Sequence, residues 1–420
     1  MLKSGLAALL LSLVAPDASP GSPPPAAGFD WPQWQGVDRD AKSKETGLLK
    51  TWPAEGPALA WKATGLGMAH GTPSIAAGRI FSMGNREKDE VVVCLDENGG
   101  KEIWAATLGK GKGGGDDPGP RCTPTVDGEV LYALGRGGTL VCLQAADGKE
   151  VWRREMRKDF AGRVGGWEYS ESPLVDGDRL IVTPGGTAAT IAALDKKTGA
   201  TVWQSAIPDD PHAEYSSIIA ADVQGTRQYI QFLNRSVVGV AAADGKYLWS
   251  FAKPANKTAN CSTPIYSEDH VFAASAYGNG GGLAKLSKDG DLFRADEVYF
   301  TKKMKNHHGG MVLVDGYLYG SDEGQLTCLE WKTGTVKWQA RQPGKGSICF
   351  ADGHLYYRNE SGKGPVFLVE ANPEKYVEAG RFEPTDRTKL PSWAHPVIAN
   401  GKLYLRDQDV LLCYQVKAGR

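Results

Sequence analysis

The stretch RCTPTVDGEVLYALGRGGTLVCLQAADGKEVW, Arg121 to Trp152, decides the fold. A short strand runs into an Asp-Gly turn at Asp127 and Gly128, two more apolar segments follow (VLYAL and TLVCLQ), and a second Asp-Gly turn leads into Val151-Trp152. Each segment alternates apolar and polar side chains with the strand period of two. Asp-Gly suits the left-handed backbone of tight hairpins. Thirty-two residues therefore read as four short antiparallel strands with no helical periodicity.

The same unit recurs along the chain. Copies begin at Gly71 (GTPSIAAGRIF, closing on DENGGKEIW), Glu171 (ESPLVDGDRLIV, closing on KKTGATVW) and Tyr215 (YSSIIAADVQG, closing on AADGKYLW). Others begin at Cys261, Gly310 (closing on WKTGTVKW), Gly346 and Ala394. Trp104, Trp152, Trp203 and Trp249 stand 48, 51 and 46 residues apart. That is the length needed for four strands of about five or six residues with their turns. Eight such units predict an all-β, eight-bladed β-propeller, in which radial repetition protects the sheet edges.

The eighth unit ends near residue 416, before its own tryptophan strand, whereas PALAWKAT, residues 57–64, is an unclaimed last strand with Trp61 in the tryptophan slot. Pairing of this N-terminal strand with the C-terminal blade would close the ring and remove an exposed edge. Trp61, Trp104, Trp152, Trp203, Trp249 and Trp338 are expected to wedge between blades. Burying about 150 to 250 Å² of each at about 25 cal/mol per Å² gives about 4 to 6 kcal/mol gross per site. The fifth unit (GDLFRADEV) and the seventh (EKYVEAG) lack the tryptophan, which predicts distorted blades there.

Bulk composition narrows the function classes. With 48 Lys plus Arg against 49 Asp plus Glu, the formal charge of -1 provides no field for nucleic acid or an anionic membrane. Lys3 followed by the apolar run from Leu6 to Val14 reads as a signal peptide over residues 1–18. It is too short to span a bilayer, and a Pro- and Ser-rich lead-in follows over 19–28, ahead of a propeller over 29–420. The chain is thus expected to be exported, to the periplasm or beyond. Cys94, Cys142, Cys328 and Cys413 recur at one strand position, as buried thiols would, and the total of seven is odd, so no disulfide framework is expected.

The pattern of an apolar strand, an acidic residue, Thr-Gly or Asp-Gly, Lys and Trp resembles the tryptophan-docking repeat of the pyrroloquinoline-quinone-like β-propellers. DKKTGATVW, AADGKEVW and WKTGTVKW carry it, and the resemblance extends from about Trp31 to Val416. DWPQWQGVDRD also resembles the Trp-Pro-x-Trp-Arg-Gly opening of exported members, with Gln35 in place of Arg. The family includes quinoprotein alcohol dehydrogenases, outer-membrane assembly scaffolds and exported members of other roles. For a dehydrogenase the resemblance implies pyrroloquinoline quinone over Ca²⁺ in the central funnel, an Asp base and a vicinal Cys-Cys disulfide. This chain has no adjacent cysteines and no Cys-x-x-Cys-His haem motif.

In a propeller, residues just ahead of each first strand crowd around one mouth of the funnel. That rule gathers His70, Arg121, Tyr169, Glu171, Glu214, Tyr215, Asn260, His307, His308, Lys345, Trp393 and His395 as ligand-binding candidates. Four of the seven histidines fall in this set, but no carboxylate or Cys joins them at a fixed ligand spacing, so no metal site is predicted. GKGKGGGDDPGP, residues 109–120, lacks Walker spacing and reads as a loop. The sequence therefore reads as a monomeric, non-catalytic exported propeller that binds a protein partner or a small polar ligand. The alternative is a quinone-dependent alcohol dehydrogenase.

Overall fold

The computed structural model describes residues 1, 28–111 and 119–419. Apart from residues 1 and 28, the expected leader and lead-in lie outside this range, as do residues 112–118 of the glycine-rich loop. Eight antiparallel sheets of four meandering strands follow one another around a ring. In the second blade these are Thr125–Asp127, Val130–Leu134, Thr139–Gln144 and Glu150–Glu155, numbered from the channel outwards. Among the described residues the only α-helix is the single turn Met156–Asp159. No described helix is long and apolar enough to cross a membrane.

The outer strand carries an extra residue just before each tryptophan. In blade two the register shifts between Glu150 and Trp152, so Trp152 faces Cys142 instead of continuing the pleat. Such a bulge re-aims a side chain, and here it turns the indole onto the next blade. Indole N–H groups then donate to carbonyls of that neighbour: Trp61 to Glu97 (3.2 Å), Trp104 to Ala145 (3.1 Å), Trp152 to Lys196 (3.1 Å), Trp203 to Ala242 (3.2 Å) and Trp338 to Asn372 (2.8 Å). Four of these rings lie against the turn glycine next door, Trp61 on Gly100, Trp104 on Gly148, Trp152 on Gly199 and Trp203 on Gly245, whereas Trp338 meets Tyr376 edge-on. A Cβ on Gly148, whose φ is +74°, would sit 2.6 Å from the Trp104 ring. Cys94, Cys142, Cys328 and Cys413 face these tryptophans across the strand pair, and all four are free and buried.

Trp249 departs from the pattern. It faces Gly239, and with no side chain opposite, its indole lies across that glycine and donates to the Gln228 amide oxygen at 2.7 Å. It still packs between blades four and five, beside Val271 and Leu286.

The fifth and seventh blades, expected to be distorted, each keep their four antiparallel strands, and other residues fill the slot. In blade five Tyr299 stands after the same bulge, packs on Phe272 and donates its hydroxyl to the Trp331 carbonyl at 3.0 Å. In blade seven Gly380 occupies the position and Trp52 covers it from elsewhere in the chain. A Cβ on Gly380 would lie 2.7 Å from the Trp52 Cβ, and the Trp52 ring packs on Tyr356 at 5.8 Å, as Trp104 does on Phe81 at 6.0 Å.

The N-terminal segment binds the ring together. Leu59–Ala63 pairs antiparallel with Val410–Gln415, with Trp61 opposite Cys413, as the fourth strand of blade eight. Lys42–Ser43 adds a parallel fifth strand on the channel side of blade seven. Between Trp31 and Lys42 the chain crosses the central channel. Trp31 exchanges backbone bonds with Ile75, the Pro32 carbonyl accepts from Val126, and Arg39 donates to the Ser172 and Pro173 carbonyls at 2.6 and 2.9 Å. Trp34 donates to the Thr263 hydroxyl at 2.9 Å and the Lys42 ammonium to the Leu313 carbonyl at 3.3 Å. Threading the segment holds Gln35, Arg39 and Ala41 at φ of 58°, 53° and 59°, a conformation that L side chains rarely adopt. Bonds to five blades offset that strain, and the channel is plugged from one side.

Candidate functional site

Plugging the channel turns the opposite mouth into a blind cup of about 320 Å³. Its wall is built where the loops enter the first strands, so seven of the twelve candidates meet there: His70, Arg121, Tyr215, His307, His308, Trp393 and His395. Most are aromatic, and they touch in sequence. His70 packs on Trp393 (4.3 Å between ring centres), Trp393 on His308 (4.7 Å), His308 on His307 (4.3 Å) and His307 on Tyr277 (5.1 Å). Across the floor, Trp34 of the plug packs on His395 at 4.7 Å.

Burial lowers His307 and His395 to about 4 and holds His308 well below the usual imidazole range, there with help from neighbouring histidines and Lys345, so these three are neutral at physiological pH. Geometry fixes two tautomers. The Lys345 ammonium, 3.0 Å from His307 Nδ1, can only donate, so Nδ1 accepts and Nε2 carries the proton toward the Tyr277 hydroxyl oxygen at 3.1 Å. His395 Nε2 donates to the His308 carbonyl at 2.8 Å, which leaves its Nδ1 as the bare lone pair.

The other five candidates do not line the cup; Lys345 supports a residue that does, and the rest bond among the surrounding loops and strand ends. Tyr169 is buried and donates to the Pro184 carbonyl at 2.8 Å. Glu171 accepts from the Thr183 amide and hydroxyl at 2.8 and 2.9 Å, and burial raises its carboxyl to about 7 beside Arg39. Glu214 accepts from the Asn260 amide at 3.1 Å and lies 3.3 Å from His212. The Asn260 side chain ties the Leu233 and Asn234 carbonyls together. Lys345 sits behind His307, 3.0 Å from Glu360.

Sequence reasoning missed Trp34, Trp167, Tyr277 and Cys261 in the wall. Trp34 arrives with the plug, Trp167 from the loop before blade three, and Tyr277 from the hairpin between His270–Ser275 and Gly280–Asp289. Only Cys261 stood at a repeat position that could have revealed it.

These residues do not fit the quinone and calcium pair that the resemblance admits. Calcium takes six to eight oxygen ligands, mainly carboxylate and carbonyl. The described wall offers rings and serine hydroxyls, and the nearby carboxylates of Glu171, Glu214 and Glu360 are engaged by Thr183, Asn260 and Lys345. Among the described residues no three His, Cys, Asp or Glu side chains group to hold a metal ion.

Fold and repeat together define a propeller of the pyrroloquinoline-quinone-like class. The chain belongs to the family described as outer membrane protein assembly factor BamB, whose profile matches residues 88–340. It is 24% identical to the assembly factor BamB of Moranella endobia over 68% of this chain and 74% of that one, and 23% identical to that of Yersinia pestis over 72% and 75%. The fold is similar to that of BamB from Moraxella catarrhalis (TM-score 0.61, 17% identity, 86% of this chain and 98% of that one). It is equally similar to that of the quinohemoprotein alcohol dehydrogenase of Comamonas testosteroni (0.63, 12%, 93% and 81%). Fold alone is thus shared by binders and enzymes; the sequence relatives are assembly factors.

Proposed function

We propose that this protein is an exported, periplasmic, non-catalytic scaffold, and that its partner is another exported polypeptide engaged at the funnel mouth. The observation that carries the reading is the cup itself. It is an aromatic recess with Trp167 and Tyr277 exposed at its rim (40% and 51%), Arg121 in its wall and no described carboxylate there. Large amphipathic side chains around a recess are the composition of interface hot spots. The relatives' description as outer membrane protein assembly factors supplies the class of partner.

Calorimetric titration with pyrroloquinoline quinone, with and without Ca²⁺, tests the reading against the dehydrogenase alternative. No saturable heat is expected, and no dye reduction when alcohols are added. Alcohol-dependent dye reduction by the quinone-loaded protein would overturn it.

A further inference from the structure

We propose that the cup receives one flat aromatic ring with a hydrogen-bond acceptor, a carbonyl or carboxylate, a few bonds away. Four features of the site lead there. The arc from His70 through Trp393, His308 and His307 to Tyr277 is a continuous run of rings in contact. Both nitrogens of His308 and Nδ1 of His395 are sealed from solvent, so these rings offer carbon and π surface to an occupant. Aromatic rings pack on such walls in tilted or offset geometry.

Polarity enters at the rim. His307 directs its Nε2 proton at the Tyr277 oxygen, which turns the Tyr277 hydroxyl proton outward to where an acceptor would lie. Tyr277 is half exposed at the mouth and so accessible to it. A cation would offer that hydroxyl proton no acceptor, and no described carboxylate faces the space to balance it, while the Arg121 guanidinium lines the wall. Finally, about 320 Å³ lies at the small end of ligand sites, sufficient for a ring and a short linker.

Two sources share this chemistry. A free aryl-alkyl acid is one; the other is an aromatic side chain of a docked polypeptide, whose own backbone carbonyl is the acceptor. The second source rests on the scaffold reading; the first does not.

The wall contains its own reporter. Six of the seven cysteines are buried, whereas Cys261 is partly open and lines the cup. The test follows alkylation of Cys261 by N-ethylmaleimide in the full-length protein, with Cys261→Ser as the labelling control. Titrants are 3-phenylpropionate, N-acetyl-phenylalaninamide, propionate and a phenylethyl-trimethylammonium salt. Saturable protection is expected from at least one of the first two. Propionate should give none, and the ammonium compound should need at least tenfold more. Protection by the acid alone assigns a small molecule; protection by the amide assigns a polypeptide side chain. Tyr277→Phe, a change at a half-exposed position, should raise the half-protecting concentration about tenfold by removing one hydrogen bond. The proposal fails if neither ring compound protects, if the ammonium compound protects equally, or if Tyr277→Phe changes nothing. Cross-links to a polypeptide at the mouth without any such protection would leave the scaffold reading standing and remove this one.

Discussion

The outer rim and the centre of this propeller are built by different rules. At the rim one device repeats: a bulge, an indole laid on a neighbour's turn and a bond to its carbonyl, as with Trp104 and Ala145 or Trp152 and Lys196. At the centre, apart from the serines that blades three and four share, the contributions vary from blade to blade, and rings from His70, Trp393, His308 and His307 meet a plug carrying Trp34. The rim closes the ring and the centre is the proposed binding site, so substitutions in the two places should separate stability from binding.

The largest separation is expected between two tryptophans. Trp203→Ala, at a 9% exposed rim site, should lower stability by about 3 to 5 kcal/mol, the usual range for deleting a buried Trp. Trp167→Ala, at the 40% exposed mouth, should cost less than about 1 kcal/mol, as exposed positions do. Urea unfolding midpoints measure both. Equal losses would merge the two regions.

Trp52 sharpens the comparison, because it lies outside the repeat yet occupies the slot of blade seven. Trp52→Ala should cost about 3 kcal/mol in the same measurement, close to a rim tryptophan. A loss below about 1 kcal/mol would show that the Gly380 slot does not depend on it.

Acid should weaken the centre first. His307 and His395, held near 4 against about 6.5 when unfolded, bind fewer protons in the native state. Their contribution is therefore lost as pH falls from 6.5 toward 4. Glu171, raised to about 7, has the opposite sign: the folded protein binds its proton more tightly, and its contribution is lost as pH rises from 4.5 to 7. His307 and His395 set against Glu171 leave a net drop of about 2 kcal/mol between pH 6.5 and 4.5, to which His308, also lowered, adds and from which Glu90, also raised by burial, subtracts. His395→Phe should flatten the slope and Glu171→Gln should steepen it. A further rim effect, smaller than those of the rim tryptophans, is expected from Tyr299→Phe, which removes one bond to the Trp331 carbonyl and should cost about 1 kcal/mol in the urea midpoint.

The rim was legible in the sequence because repetition amplifies a weak signal. One Asp-Gly-Lys-x-x-Trp is a turn and a strand, whereas several at a spacing near 48 residues are a ring. The substitutes were not legible. Tyr299 sits in a strand with no tryptophan motif, and the Trp52 side chain reaches Gly380 across more than 300 residues, a contact that no local pattern encodes. The mouth was half legible. The rule that residues ahead of a first strand face the channel located His70, His307, His308, Trp393 and His395, but the same rule also gathered Tyr169, Glu171, Glu214 and Asn260, whose side chains bond to other strand ends and loops, two of them across to a neighbouring blade. Whether a side chain at such a position points inward depends on the partners that the surrounding segments provide. The residues from Trp31 to Ser43 looked like an approach to the fold, and their left-handed Gln35, Arg39 and Ala41 make sense only inside the channel they plug.

The claim that the mouth is where this protein meets its partner is tested most directly by photo-cross-linking in cells of its own host. Benzoylphenylalanine would replace Trp167 at the mouth or Val202 on the outer strand of blade three, two sites of similar exposure (40% and 49%). A discrete polypeptide adduct from position 167 and none from position 202 is the predicted result. An adduct at 202 with none at 167 would place the partner on the rim and contradict the account.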